Sequence, residues 1–145
     1  MLLALLAVAA VMFGLYNVFI KLSADHIQAV LGAVILQFVA AFLGLALLLV
    51  LKVQQGLSLH ANSRGIWMAI AAGVAIGLVE ILTFVIYGRG VPVAVGNPLI
   101  IGGSVVVTTG LGVWLLRETI TLVPMLAILM IAGGILLLAW NAARL

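Results

Sequence analysis

A single carboxylate, Glu80, lies inside a run of apolar residues from 66 to 88. An ionised acid in hydrocarbon costs a few kcal/mol or more, so such a residue faces a bundle interior or a wet cavity and is a candidate proton- or cation-exchanging group. A helical rise of about 1.5 Å per residue puts it roughly 21 Å from the start of the run and roughly 12 Å from its end. That is near the middle of a hydrocarbon layer ~30 Å thick. Ala69, Gly73, Gly77, Glu80, Phe84 and Tyr87 recur at three- and four-residue steps on one helix face. Gly73 and Gly77 form a GxxxG pair that admits a second helix, turning Glu80 toward protein. A protonated Glu held by hydrogen bonds for packing alone is the simpler alternative.

Few other side chains in the apolar runs carry chemistry. Asn17 and Lys21 continue a face through Ala10 and Gly14, and Gln37 reads as an interhelical hydrogen-bonding residue rather than a ligand. Asn97 precedes Pro98, which frees a carbonyl early in its helix and sets an amide inside the membrane; a local kink is the alternative. Tyr87 and Trp114 offer amphipathic surfaces to an apolar or cationic solute. Gly96, Gly103 and Gly110 repeat every seven residues, with Ile100, Val107 and Trp114 between them, and predict a close-packing face. Ala127 and Gly134 share that spacing in the last run and predict the face that pairs subunits.

Other chemistries find no residues. Asp25-His26 and Arg117-Glu118 fall in polar turns and read as solvated groups. With no cysteine there is no disulfide, thiol nucleophile or thiolate metal site. HExxH, GxSxG and paired intramembrane acids are all missing, so neither an enzyme nor a metal or cofactor is expected. Six Lys and Arg give a charge of +3 and a pI near 10.0, but they are scattered among the turns and form no nucleic-acid surface. In a membrane chain they are topology determinants.

The elements that must position these groups are legible from hydropathy. The chain is 68% hydrophobic and 6% charged, with mean hydropathy +1.52. No soluble domain covers so much apolar surface, whereas lipid does. Spans are expected at 2–20, 28–51, 66–88, 94–116 and 122–141. They predict an all-α, polytopic bundle of five transmembrane helices, a single domain over 1–145 with no room for a soluble one. The first run lacks a basic n-region and is too long for a signal peptide, so it reads as a retained helix. Residues 52–65 are the longest loop and the one plausible linker. The tight turn at 88–92 predicts that the fourth helix runs antiparallel beside the third, and Pro92 and Pro124 suit first turns.

Five spans put the termini on opposite sides of the bilayer. Lys52, Arg64 and Arg117 then face Lys21, Arg89 and Arg144, and this balance gives the positive-inside rule nothing to choose between. Insertion in both orientations with antiparallel pairing follows, unless the first helix alone sets a weak bias. Five spans plus five inverted spans reproduce the inverted-repeat plan of many transporters.

Three stretches carry a resemblance: FGLYNVFIKLS (13–23), TFVIYGRGVPVAVGNPLIIGGSVVVTTGLGVWLLRETIT (83–121) and MLAILMIAGGILLLAW (125–140). With their Gly-Val-Pro turn, polar-Pro helix, Glu-Thr turn and Gly-rich last helix, they resemble the drug/metabolite transporter superfamily. The helix count is similar to a half-length, five-helix EamA-type member, related to the small multidrug resistance proteins. The resemblance implies a prokaryotic inner-membrane protein whose first, third and fourth helices line a pathway and whose last helix joins subunits. It also implies a small-molecule substrate, with an antiparallel homodimer or a heterodimer with a short homologue as the assembly. One departure matters. The coupling carboxylate of the small multidrug proteins falls at Phe13 here, so their exchange site is not carried over. The expected function is a secondary transporter of a small metabolite or drug-like solute, coupled to protons or cations through Glu80. A lipid-carrier flippase subunit and a non-transporting membrane assembly protein are the alternatives.

Overall fold

The computed structural model describes residues 1–56 and 60–142; part of the expected linker and Arg144 of the charge balance lie outside the described residues. The chain is all-helical, with α1 (Leu2–Ala24), α2 (Ala29–Gln55), α3 (Ser63–Gly88), α4 (Val93–Leu115) and α5 (Leu122–Ala142). All five helices are long and apolar enough to cross a membrane, and the described residues include no strand. The chain is a multi-pass helical membrane protein.

The helices begin and end on local signals more than on hydropathy. α1 runs four residues past the end of its apolar stretch, because Lys21, Leu22, Ser23 and Ala24 continue the ladder before Asp25 caps it. At the start of α2 the Gln28 side chain accepts from the Leu31 N–H at 2.8 Å. The helix continues through Lys52, Val53, Gln54 and Gln55, and stops at Gly56 with φ of 59°. A left-handed residue there costs Gly little and most residues more. α3 starts at Ser63 because Asn62 caps it, its Oδ1 accepting from the Gly65 N–H at 2.7 Å. Pro92 precedes the first residue of α4, one position earlier than a first-turn proline.

The chain divides into two compact units, Met1–Gly90 and Val91–Leu145. In the first, α3 packs against both α1 and α2. Tyr16 meets Glu80, Lys21 meets Tyr87 and Gly88 lies beside the Ala24 carbonyl, so α1 and α3 run parallel. Gly32 lies against Phe84 and Gln37 against Gly77, so α2 runs antiparallel to them.

Packing is confined to one half of this unit. Residues 1–13, 38–50 and 63–76 are all exposed, whereas the buried side chains are Asn17, Ile20, Ala33, Glu80, Thr83, Phe84 and Tyr87. Three of these seven are polar or charged. That is a larger polar share than a soluble core carries, and the reason is the solvent. Lipid tails are as apolar as Leu, so small residues and interhelical hydrogen bonds, rather than apolar burial, hold helices together. Gly77 takes up the Gln37 carboxamide, whose Oε1 would be 3.4 Å from a Cβ there, while a Cβ at Gly73 would meet nothing within 4 Å. The GxxxG pair is therefore used at one of its two glycines within the unit.

In the second unit α4 and α5 pack together. The face differs from the seven-residue stripe. Cβ atoms at Gly103 and Gly110 would meet open space, and Gly102 instead receives the Ile135 side chain, which fills the space a Cβ there would need. Gly96 is buried, as are Gly102 and Gly112. Pro98 sits inside α4 without ending it. Arg117 adopts φ of 56°, the Glu118 N–H donates to the Gly112 carbonyl at 3.1 Å, and the Glu118 carboxylate folds over Gly112.

Candidate functional site

The α1–α3 seam gathers four of the residues singled out above. Glu80 is 4% exposed, and its Oε2 accepts a hydrogen bond from the Tyr16 hydroxyl. Asn17 is 3% exposed; its Nδ2 donates to the Phe13 carbonyl at 2.9 Å and its Oδ1 accepts from the Tyr87 hydroxyl at 3.3 Å. Lys21 Nζ donates to the Tyr87 carbonyl at 2.8 Å and lies 3.7 Å from Asp25 Oδ1. The buried Thr83 hydroxyl returns to the Val79 carbonyl of its own helix at 2.8 Å. Each polar group in this cluster is partnered, as hydrocarbon demands.

Register explains why these residues meet. Tyr16 stands eight residues before the end of α1 at Ala24, and Glu80 stands eight before the end of α3 at Gly88. On parallel helices with ends level, both side chains lie at one depth, roughly 12 Å from that end. Tyr16 is the site residue that sequence reasoning missed. Its neighbours Asn17 and Lys21 stood out as polar, while a tyrosine among Leu, Val and Phe reads as apolar. The usable signal was its distance from the true end of α1.

Beside the seam a groove of about 450 Å³ runs between α1 and α2, lined by Leu15, Tyr16, Phe19, Ile35, Leu36 and Phe84 among others. Its floor depends on Gly32, where a Cβ would lie 2.5 Å from Phe84 Cε1. Tyr16 and Ser23 are its only polar side chains, and Ser23 is occupied by the Ile20 carbonyl at 3.0 Å. The groove suits an apolar body. A carboxyl next to it, buried and reachable through one phenol, can exchange a proton or hold a cation.

Asn97 and Trp114 belong to the second unit. Asn97 lines a groove of about 480 Å³ between α4 and α5, with Pro98, Gly102, Ile131, Gly134 and Ile135. Trp114 is 78% exposed, and Ala127 and Gly134 are exposed on α5. No cluster of three or more His, Cys, Asp or Glu capable of holding a metal occurs among the described residues. Comparison with known proteins yields no matching family model, no matching curated protein and no matching solved structure.

Proposed function

We propose that the protein is a secondary membrane transporter for a small, largely apolar solute, coupled to protons or another cation through Glu80. The observation that carries this reading is the Glu80 carboxyl itself, buried at the α1–α3 seam and adjoining an apolar groove. A carboxyl there is far easier to keep neutral than ionised, so a proton taken or released changes its fit to its surroundings. The EamA-type resemblance of the sequence points the same way. Under this proposal the working unit is a pair of inverted chains, or this chain with a short homologue, in a prokaryotic inner membrane.

The test is uptake into proteoliposomes under an imposed pH gradient, comparing the parent chain with Glu80→Gln at matched reconstitution. Gln keeps the shape of a protonated Glu. Folding and downhill movement should survive, while accumulation against a gradient should be lost. A variant that still accumulates solute makes Glu80 structural and sends the search for the coupling group elsewhere.

The groove favours a second reading, a subunit that flips a lipid-linked carrier. Its lining offers almost no polar group to a sugar or an amino acid, and it lies between two membrane-spanning helices. Inhibition of uptake by an isoprenoid phosphate, with none by short polar solutes, would support that reading.

A further inference from the structure

We infer that Tyr16 is a positioning residue for Glu80: its phenol holds the carboxyl in the resting arrangement, and whatever Glu80 exchanges must displace that hydroxyl. The inference rests on the reading of Glu80 as the exchanging group.

Three observations carry it. The Tyr16 hydroxyl is the one hydrogen-bond partner of the Glu80 side chain among the described residues. The pairing is set by the register of two whole helices, pinned at their ends by Lys21 on the Tyr87 carbonyl and by Tyr87 on Asn17. It is thus not a chance rotamer. Finally, Tyr16 faces two ways. Its ring forms part of the groove wall and lies 5.3 Å from the Phe13 ring at 33°, while its hydroxyl reaches Glu80, which is not part of that wall. A solute in the groove therefore meets Glu80 past the Tyr16 ring.

The chemistry limits what can take the place of the phenol. Breaking the pair strands a buried donor and a buried acceptor, each with a desolvation cost. An incoming group that brings an N–H or O–H to the carboxyl, or an acceptor to the phenol, offsets part of that loss, and one with neither offsets none. Tyr16 thereby selects solutes that combine an apolar body with at least one hydrogen-bonding group.

The experiment is labelling of Glu80 by dicyclohexylcarbodiimide in the full chain in liposomes, at one fixed pH. The carboxylic O–H adds across a C=N bond of the reagent and rearranges to an N-acylurea, with no leaving group and no other reactant. Tyr16→Phe keeps the ring and removes the donor. It should label roughly fivefold faster than the parent, the factor that one ordinary hydrogen bond is worth. Glu80→Gln should not label at all. Equal rates for Tyr16→Phe and the parent overturn the inference. If Tyr16→Phe loses its monodisperse elution, 3-fluorotyrosine at position 16 replaces it. This stronger donor of nearly the same shape should slow labelling, and an unchanged rate is again a refutation. Loss of the Glu80 coupling role would instead appear as driven uptake by Glu80→Gln, which leaves these labelling rates untouched.

Discussion

Lys21 Nζ donates a 2.8 Å hydrogen bond to the Tyr87 carbonyl, so the last turn of α1 grips the last turn of α3. The final carbonyls of a helix lack intrahelical partners and carry the negative end of its dipole, which suits an ammonium. The Tyr87 carbonyl also accepts from the Gly90 N–H at 3.0 Å, made possible by φ of 88° at Gly90. Asp25, one turn beyond Lys21, balances the charge. This clasp sets the register that brings Tyr16 to Glu80.

Lys21→Met should therefore weaken the first unit by about 2 kcal/mol, the scale of one hydrogen bond to a charged group. Reversible unfolding in mixed micelles measures it. Because the clasp sets register, carbodiimide labelling of Glu80 should rise along with the loss of stability. A variant as stable as the parent would show that the Tyr87–Asn17 bond suffices.

Gly32→Ala should destabilise, against its own helix propensity. In an open helix position Ala is favoured over Gly by roughly 1 kcal/mol. Here the new methyl would lie 2.5 Å from Phe84 Cε1, and overpacking of that kind costs about 1–3 kcal/mol. Gly44, where a Cβ meets nothing within 4 Å, supplies the control and should gain slightly or stay level as Ala. Adding Phe84→Leu to Gly32→Ala should recover part of the loss. Additive losses in the double variant would mean that the ring is not what the methyl strikes.

The fold was legible in the sequence because hydropathy decides it: five apolar runs of spanning length leave no other architecture. Glu80, Asn17, Lys21 and Tyr87 were legible one by one as polar groups in those runs. Their partners were not. Tyr16 and Glu80 share a depth only once α1 is carried to Ala24, and the polar residues Lys21 and Ser23 disguise that end in a hydropathy reading. The seven-residue glycine stripe of α4 left its neighbour open for a related reason. Periodicity reveals that a face is small without revealing which neighbour uses it, and α5 rests on Gly102, one residue off that stripe.

A reporter fused to the C-terminus should give signal on both sides of the membrane. Lys52 and Arg64 flank one end of the first unit, and Lys21 and Arg89 flank the other, so its basic residues do not favour either insertion. Two lysines added after Leu145, which lies outside the described residues, should move the signal toward one side. A parent signal confined to one side would reject dual orientation and point to a heteromeric partner.

Gly134→Leu should weaken association of two chains. Close approach of backbones is the main attraction between helices in lipid, and only small residues permit it. Ala127 and Gly134 are both exposed, and a Cβ at Gly134, which borders the α4–α5 groove, meets nothing within 4 Å, so these positions leave room for a partner helix. Ile135 instead faces α4 at Gly102, so Ile135→Ala should loosen the α4–α5 hairpin without preventing pairing. The two variants thus separate packing within a chain from packing between chains. Cross-linking in native membranes, read as the dimer fraction across a dilution series, measures the difference. If Gly134→Leu cross-links as readily as the parent while Ile135→Ala does not, the subunits meet on a face that the hairpin itself builds.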